Sequence, residues 1–363
     1  MHKMSRSDGF TIVELMVSMA ITLGVLAGAM TTIRNAMTLN DAGLQVADSN
    51  QNLRSGANLL IRDLLQAGRL IPIGGIPIPS GVGAVGINRP GAPNTFNFFD
   101  NVGQVTLTAI TTGSTLGPLV NNATTDIVTI LMIDPLLPFA NLPAGAVAAD
   151  GASVTLGPAS PWITGLNPGP PVETVSTIKQ GDLVWFNVGG GAIQTVTSAD
   201  ATKAYFATGG NDWFNFNQRN AAEGTVMELC PAGNPIPGAA CVGGFGAMKL
   251  YRLLMVTYYV DTTGPEPRLT RVQNHFTPQA LAGVVEDLEL TFDVVDSVTN
   301  PTGLPSLPVV LNGLTYTANQ IRKVNLHIGV RSDLLSPGQV DYIRNHMTTS
   351  VSIRNLASIN RYQ

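Results

Sequence analysis

The sequence predicts an α+β fold: one long N-terminal helix, with a membrane half and an amphipathic half, packed on an antiparallel β-sheet head that carries large loop insertions. Three observations predict it. Residues 10–33 form an almost wholly apolar run, close to the ~20 residues that span a bilayer as helix. Apolar residues at spacings of three and four then continue a helical pattern to about residue 66. Beyond it, segments of alternating apolar and polar residues are separated by stretches rich in Gly and Pro, of which the chain has 38 and 24. That composition suits turn-rich β structure better than a helical bundle.

The membrane half begins at Gly9-Phe10-Thr11-Ile12-Val13-Glu14-Leu15, with Lys3 and Arg6 ahead of it. A carboxylate in a membrane segment is costly, roughly 2.5 to 3.5 kcal/mol at mid-bilayer on insertion scales. Glu14 therefore implies a partner. The residues admit three arrangements. In an ordinary secretory signal, Ala27-Gly28-Ala29 satisfies the small-x-small cleavage rule and the mature chain begins at Met30. In an uncleaved anchor, Lys3 and Arg6 hold the N-terminus in the cytoplasm. Neither explains Glu14. In the third arrangement the polar leader, residues 1–9, is removed on the cytoplasmic side, Phe10 becomes the N-terminus, and the apolar stretch is retained.

The amphipathic half is read from Leu53, Ala57, Leu60, Ile61, Leu64 and Leu65, with Arg54, Asn58, Arg62 and Asp63 assigned to other faces. Gly68 is the expected stop, because the Gly/Pro-rich run from Ile71 to Gly91 cannot continue a helix. From Phe10 to Gln66 such a helix is about 85 Å long at 1.5 Å per residue. It outruns any bilayer by about 40 Å, so its second half should pack one face against a soluble head. The expected divisions are a leader at 1–9, a transmembrane half at 10–33, an amphipathic half at 34–70 and a β-rich head at 71–363. Gly24 and Gly28 form a small-residue pair that Ala20 extends, a stripe on which helices pack closely; small residues are also simply common in membrane helices.

The motif GFTIVELMVSMAI resembles the N-terminus of the type IV pilin superfamily in residue type, order and spacing. The resemblance implies cleavage between Gly9 and Phe10 by prepilin peptidase, N-methylation of Phe10, and storage as a single-pass protein of the bacterial inner membrane with a periplasmic head until the subunit enters a filament. Glu14 is then the residue that sets assembly register. In a core of packed helices of low dielectric, its carboxylate can meet the Phe10 amine of a neighbour. Any other stagger leaves buried charges unpaired, which costs about 3–5 kcal/mol.

Strands are expected at Gln104 to Ile110, Asp126 to Ile133, Leu183 to Val188, Leu250 to Val260, Arg268 to Val272, Leu288 to Val294, Val324 to Val330 and Thr349 to Leu356. Leu250 to Val260 is apolar on both faces, which places it centrally, with Arg268 to Val272 returning as its hairpin partner. The stretches Ile71 to Gly91, Pro135 to Pro171 and Thr299 to Pro308 read as loops or insertions. In order along the chain, LIRDLLQAGRL, YYVDTTGPEPRLTRV, VVEDLELTFDV, IRKVNLHIGVRS and SVSIRN resemble PilW-type minor pilins and, more distantly, the minor pseudopilin J of type II secretion. That resemblance implies a non-enzymatic, low-copy subunit, in the pilus or at its tip, whose partners are other minor pilins and the major pilin. The rival class is an envelope adhesin or enzyme whose N-terminus is only a signal.

Net charge is −4 and the 20 Lys and Arg are scattered, so nothing points to nucleic acid. Cys230 and Cys241 enclose a Gly/Pro-rich loop, and in the periplasm such a pair is expected to form a disulfide, with two free thiols the alternative if the loop is strained. A metal site is not expected, since His2, His275, His327 and His346 lie in no ligand spacing. No cofactor is expected either. Gly81, Gly83 and Gly86 match a dinucleotide fingerprint without its flanking strand and helix, and Gly189-Gly190-Gly191 lacks the Lys-Ser/Thr of a phosphate loop. Asp287, Glu289, Asp293 and Asp296 could favour calcium, yet no loop has ligand spacing, and a solvated strand face is the better reading. His327 reads as a wet-face strand residue. Trp213, Phe214 and Phe216 offer a partner-contact loop, with core packing the better reading.

Overall fold

The computed structural model describes residues 10–91, 95–97, 105–134, 140–156, 178–200, 202–233, 239–296, 298–335 and 341–357. The leader, with Gly9, lies outside them. The chain divides into two compact units, residues 1–51 with 331–345, and residues 52–330 with 346–363.

Helix α1 runs from Ile12 to Gln66 without a break. Its apolar first half is exposed from Ile12 to Ile33, and its hydropathy over an 18-residue window averages 2.0, enough by length and composition to cross a bilayer. Every hydroxyl in that half is satisfied within the helix or its cap. Ser18, Thr22, Thr31 and Thr32 donate to the carbonyls of Leu15, Ser18, Ala27 and Gly28 at 2.7–3.0 Å, so none presents an unbonded donor to an apolar solvent. Gly68 follows the last turn at φ 73°, a left-handed conformation that glycine adopts without penalty.

In the second unit the face of α1 bearing Leu53, Gly56, Ala57, Leu60, Asp63, Leu64 and Ala67 is buried. Leu65, assigned above to this stripe, is 42% exposed, and Asp63, assigned to another face, is buried. The true stripe keeps strict spacings of three and four; Asp63 lies on it, three residues after Leu60, and Leu65 does not.

Ten strands form the main antiparallel sheet among the described residues. In chain order they are β1 (Ile110–Thr111), β2 (Val128–Ile133), β3 (Ala140–Leu142), β4 (Leu183–Asn187), β5 (Ala192–Thr195), β6 (Met248–Asp261), β7 (Arg268–Gln273), β8 (Gln279–Val294), β9 (Ile321–Arg331) and β10 (Arg344–Ser352). Their main path is β5-β4-β6-β7-β8-β9-β10. Strand β6 is central. It pairs with β4 and then β7 along one edge, and with β3 and then β2 along the other, as its two apolar faces require. In β8 and β9, Leu288, Leu290, Phe292 and Val294, and Val324, Leu326, Ile328 and Val330, point to the core. They pack with Leu53, Leu60 and Leu64 of α1 in one hydrophobic cluster.

Four expected elements differ. The stretch Pro135 to Pro171, read as a loop or insertion, holds β3 and a short strand at Ser153–Thr155 among its described residues, runs of three residues that leave no period to detect. The strand Gln104 to Ile110 is two pieces, Thr106–Leu107 and Ile110–Thr111, while residues 98–104 lie outside the described ones. The Thr108 hydroxyl donates to the Ile110 carbonyl at 2.7 Å, a local bond that competes with ladder pairing. The last strand begins earlier, at Arg344, and ends at Ser352; Arg354–Ala357 forms a short helical turn, α2. The run from Ile71 to Gly91 contains two short strands, Ile76–Pro77 and Asn88–Pro90.

Candidate assembly site at the helix N-terminus

Phe10 is 79% exposed, two residues before Ile12, the first residue of α1. Thr11 caps that turn. Its hydroxyl accepts from the Glu14 N–H at 3.3 Å, while Glu14 Oε2 accepts from the Thr11 N–H at 3.0 Å and from the Thr11 hydroxyl at 2.9 Å. This is a capping box, in which the first and last residues of Thr-x-x-Glu satisfy two otherwise orphaned N–H groups. The carboxylate that the sequence leaves in need of a partner therefore has one within its own chain. The Thr-x-x-Glu pattern was legible at positions 11 and 14. The acid also sits where the positive end of the helix dipole stabilises it.

Ala20, Gly24 and Gly28 lie on the exposed helix, and no neighbouring atom comes within 4 Å of a Cβ placed at Gly24 or Gly28. Gly56 contrasts with them. A Cβ there would lie 3.1 Å from the Ala282 Cβ and from Leu269 Cδ2, so the glycine brings the helix close to the sheet.

One buried polar cluster fastens the same helix. Asp63 Oδ2 accepts from the Tyr258 hydroxyl at 2.7 Å and from Arg271 Nε at 2.8 Å. Burial and the Asp63 charge push the Tyr258 hydroxyl pKa up. For Arg271, burial acts to lower the pKa, but Asp63 outweighs it and the net direction is up. A second cluster lies at the base of β4, where Arg252 Nη2 is 2.8 Å from Asp182 Oδ1 and Arg252 Nε is 4.0 Å from Asp134. Burial pushes the Asp182 carboxyl up to about 6, against the pull of Arg252 and the Lys179 N–H.

Cys230 and Cys241 are joined by a disulfide with Cα atoms 5.7 Å apart. Both are buried against Met227, Phe245 and Met248. Phe214 and Phe216 are fully buried in another cluster, whereas Trp213 stacks on His275 with ring centroids 3.6 Å apart. Gly81 and Gly83 take positive φ within a loop whose Ser80 bridges to Glu223, and the residues directly after them, 84–91, form no helix. Gly189-Gly190-Gly191 is the turn between β4 and β5. Asp296 is occupied by the N–H groups of Val298, Thr299 and Asn300 and by the Tyr316 hydroxyl. His327 stands on the wet face, bonded to the Thr348 hydroxyl at 2.9 Å.

Residues 4–30 match the family model of the prokaryotic N-terminal methylation motif. The match supports a type IV pilin-like prepilin. It points to a structural protein rather than an enzyme, and in general to processing by prepilin peptidase and to pilin partners. With the apolar helix it is consistent with a single-pass inner-membrane anchor. Among curated proteins and among solved structures, none matches the chain.

Proposed function

We propose that this chain is a minor pilin of a type IV pilus, PilW-like, which primes or supports assembly through helix packing and through contacts of its head with sibling subunits. The leader is cut between Gly9 and Phe10, Phe10 is N-methylated, and the head stands in the periplasm until the helix enters the filament. There Glu14 exchanges its Thr11 partner for the Phe10 amine of a neighbour and sets register. The observation that carries this reading is the Gly9-Phe10-Thr11-Ile12-Val13-Glu14 signature at the head of an exposed apolar helix of bilayer-spanning length. A head of nearly 300 residues, those that follow Gln66, favours a low-copy subunit over one repeated along a thin fibre. A minor pseudopilin of type II secretion is the second reading, favoured by the resemblance of the β6 to β10 segments to the minor pseudopilin J. A deletion strain separates the two through loss of surface pili or loss of exoprotein secretion.

Mass spectrometry of the mature N-terminus tests the shared core of both readings. N-methylated Phe10 is the expected first residue. A start at Met30 would make the segment an ordinary signal peptide and leave an envelope adhesin or enzyme as the surviving class.

A further inference from the structure

Two of the four histidines, which have no ligand spacing along the chain, are brought together by the register of the outer sheet. The Ile353 N–H donates to the Arg322 carbonyl at 2.9 Å, and the Ser332 N–H to the Ile343 carbonyl at 2.8 Å. Both bonds fit one antiparallel register of β9 and β10, which sets Thr348 opposite His327 and His346 opposite Gly329. On the other side of β9, Glu289 is opposite His327 and Asp287 is opposite Gly329. Asp287, Gly329 and His346 therefore form one row across three strands. His327 stands in the next row on the same, wet face.

Gly329 leaves a gap in its row, and three side chains border that gap. The ladder of β8 with β9 shifts register between Val285 and Asp287, an irregularity of the kind that re-aims a side chain. A Cβ at Gly329 would lie 3.0 Å from the Asp287 Cβ, so the acid stands close against the missing side chain. His327 Nε2 is 3.6 Å from Asp287 Oδ2, and the His327 ring centroid is 5.7 Å from that of His346. His327 Nδ1 lies 2.9 Å from the Thr348 hydroxyl.

These separations suit an interposed cation. At 3.6 Å, Nε2 and Oδ2 are too far apart for a hydrogen bond. Nitrogen and oxygen ligands held about 2.0–2.1 Å from one zinc ion lie about 3.3–3.6 Å from each other, and two imidazoles on that ion have ring centres about 5–6 Å apart. A Thr348 hydroxyl that accepts from Nδ1–H selects the tautomer whose Nε2 lone pair faces Asp287. Among the described residues no three His, Cys, Asp or Glu side chains already converge on one point. His346 is exposed, and a change of rotamer, fast for such a side chain, turns its ring toward the other two.

We propose that Asp287, His327 and His346 bind a divalent transition-metal ion of the zinc class over Gly329, with Thr348 positioning the His327 ring. Two imidazoles and one carboxylate favour such an ion over calcium and magnesium, which take oxygen ligands. The ion ties β8, β9 and β10 together, and the inference stands independently of the assembly reading above.

The test is calorimetric titration of Zn²⁺ into the full, untagged chain in detergent, after a chelating resin has removed adventitious metal. One ion per chain should bind, with Ca²⁺ and Mg²⁺ weaker by about a hundredfold or more. His346→Ala and Asp287→Asn should each weaken Zn²⁺ binding by about tenfold or more, and Thr348→Val by about tenfold through loss of the bond that holds the tautomer. His2→Ala and His275→Ala should leave it unchanged. The wild type decides the matter even where a substitution disturbs the sheet: Zn²⁺ should protect His327 and His346, but not His275, from diethyl pyrocarbonate, read by peptide mass spectrometry. Absence of Zn²⁺ binding, affinity undiminished by His346→Ala, or protection of neither histidine overturns the site and leaves Asp287 and His327 an ordinary surface ion pair. Ca²⁺ bound as tightly as Zn²⁺ overturns the choice of ion, and unchanged affinity in Thr348→Val overturns the positioning role.

Discussion

Glu14 and Asp63 are two carboxylates on one helix, and each departs from its first reading for a different physical reason. Glu14 is an acid in an apolar stretch, and its partner is local: the helix N-terminus supplies the Thr11 N–H three residues away. Asp63 looked solvent-facing because it is charged, whereas its position on the stripe required burial and the Tyr258 hydroxyl and Arg271 guanidinium compensate it. Residue type was legible; the partners, about 200 residues further along the chain, were not. Asp63→Ala should destabilise the chain by about 3–5 kcal/mol, since a buried guanidinium loses its counter-charge, and thermal unfolding in detergent would read the loss. Asp182 gives a prediction of opposite pH sense to the usual ion-paired carboxylate, because desolvation outweighs its Arg252 partner. Its folded pKa, about 6, lies above the ordinary value of 3.8, so the native state binds the proton more tightly than the unfolded chain. Its contribution is fully present below pH ~4 and is lost as pH rises through ~6, by on the order of 2–3 kcal/mol. The stability of the wild type relative to Asp182→Asn should fall over that window, and a difference constant with pH would refute the shift.

At the scale of elements, the long helix and the central strand were the most legible parts. Both carry a strong periodicity over many residues, and Gly68 ends the helix where a left-handed residue is needed. The short strands at Ile76–Pro77 and Asn88–Pro90 were not legible, because a ladder of two or three residues leaves no period to detect. The extent of β10 was missed for a related reason: from Arg344 to Ser350 its core-facing positions are Asn345, Met347 and Thr349, and the apolar alternation that marks β8 and β9 is absent. Gly56 shows how closely helix and sheet meet. Gly56→Ala gains up to about 1 kcal/mol of helix propensity against contacts at 3.1 Å, and should be nearly neutral. Gly56→Leu has nowhere to place its added carbons and should cost about 1–3 kcal/mol. A melting temperature unchanged by Leu would show that the helix is not seated on β7 and β8 as described.

At the scale of the whole molecule, α1 couples an apolar stretch that Glu14 heads to a sheet-bearing unit in which the same helix is anchored by Leu60, Asp63 and Leu64. The sequence made the fold class, the helix and the pilin-like N-terminus legible. The insertions between β1 and β6 were not, because their short strands and turns find stability in packing between distant segments. In that architecture Glu14 caps the helix, and the proposed register role is the further task that remains for it. The direct measurement is therefore the amount of Glu14→Ala chain in sheared filaments relative to the amount in the membrane, compared with the wild type. Equal membrane levels with incorporation reduced by about tenfold or more, the scale of an interaction near 1.4 kcal/mol, are the predicted result, and undiminished incorporation would contradict the register role of Glu14.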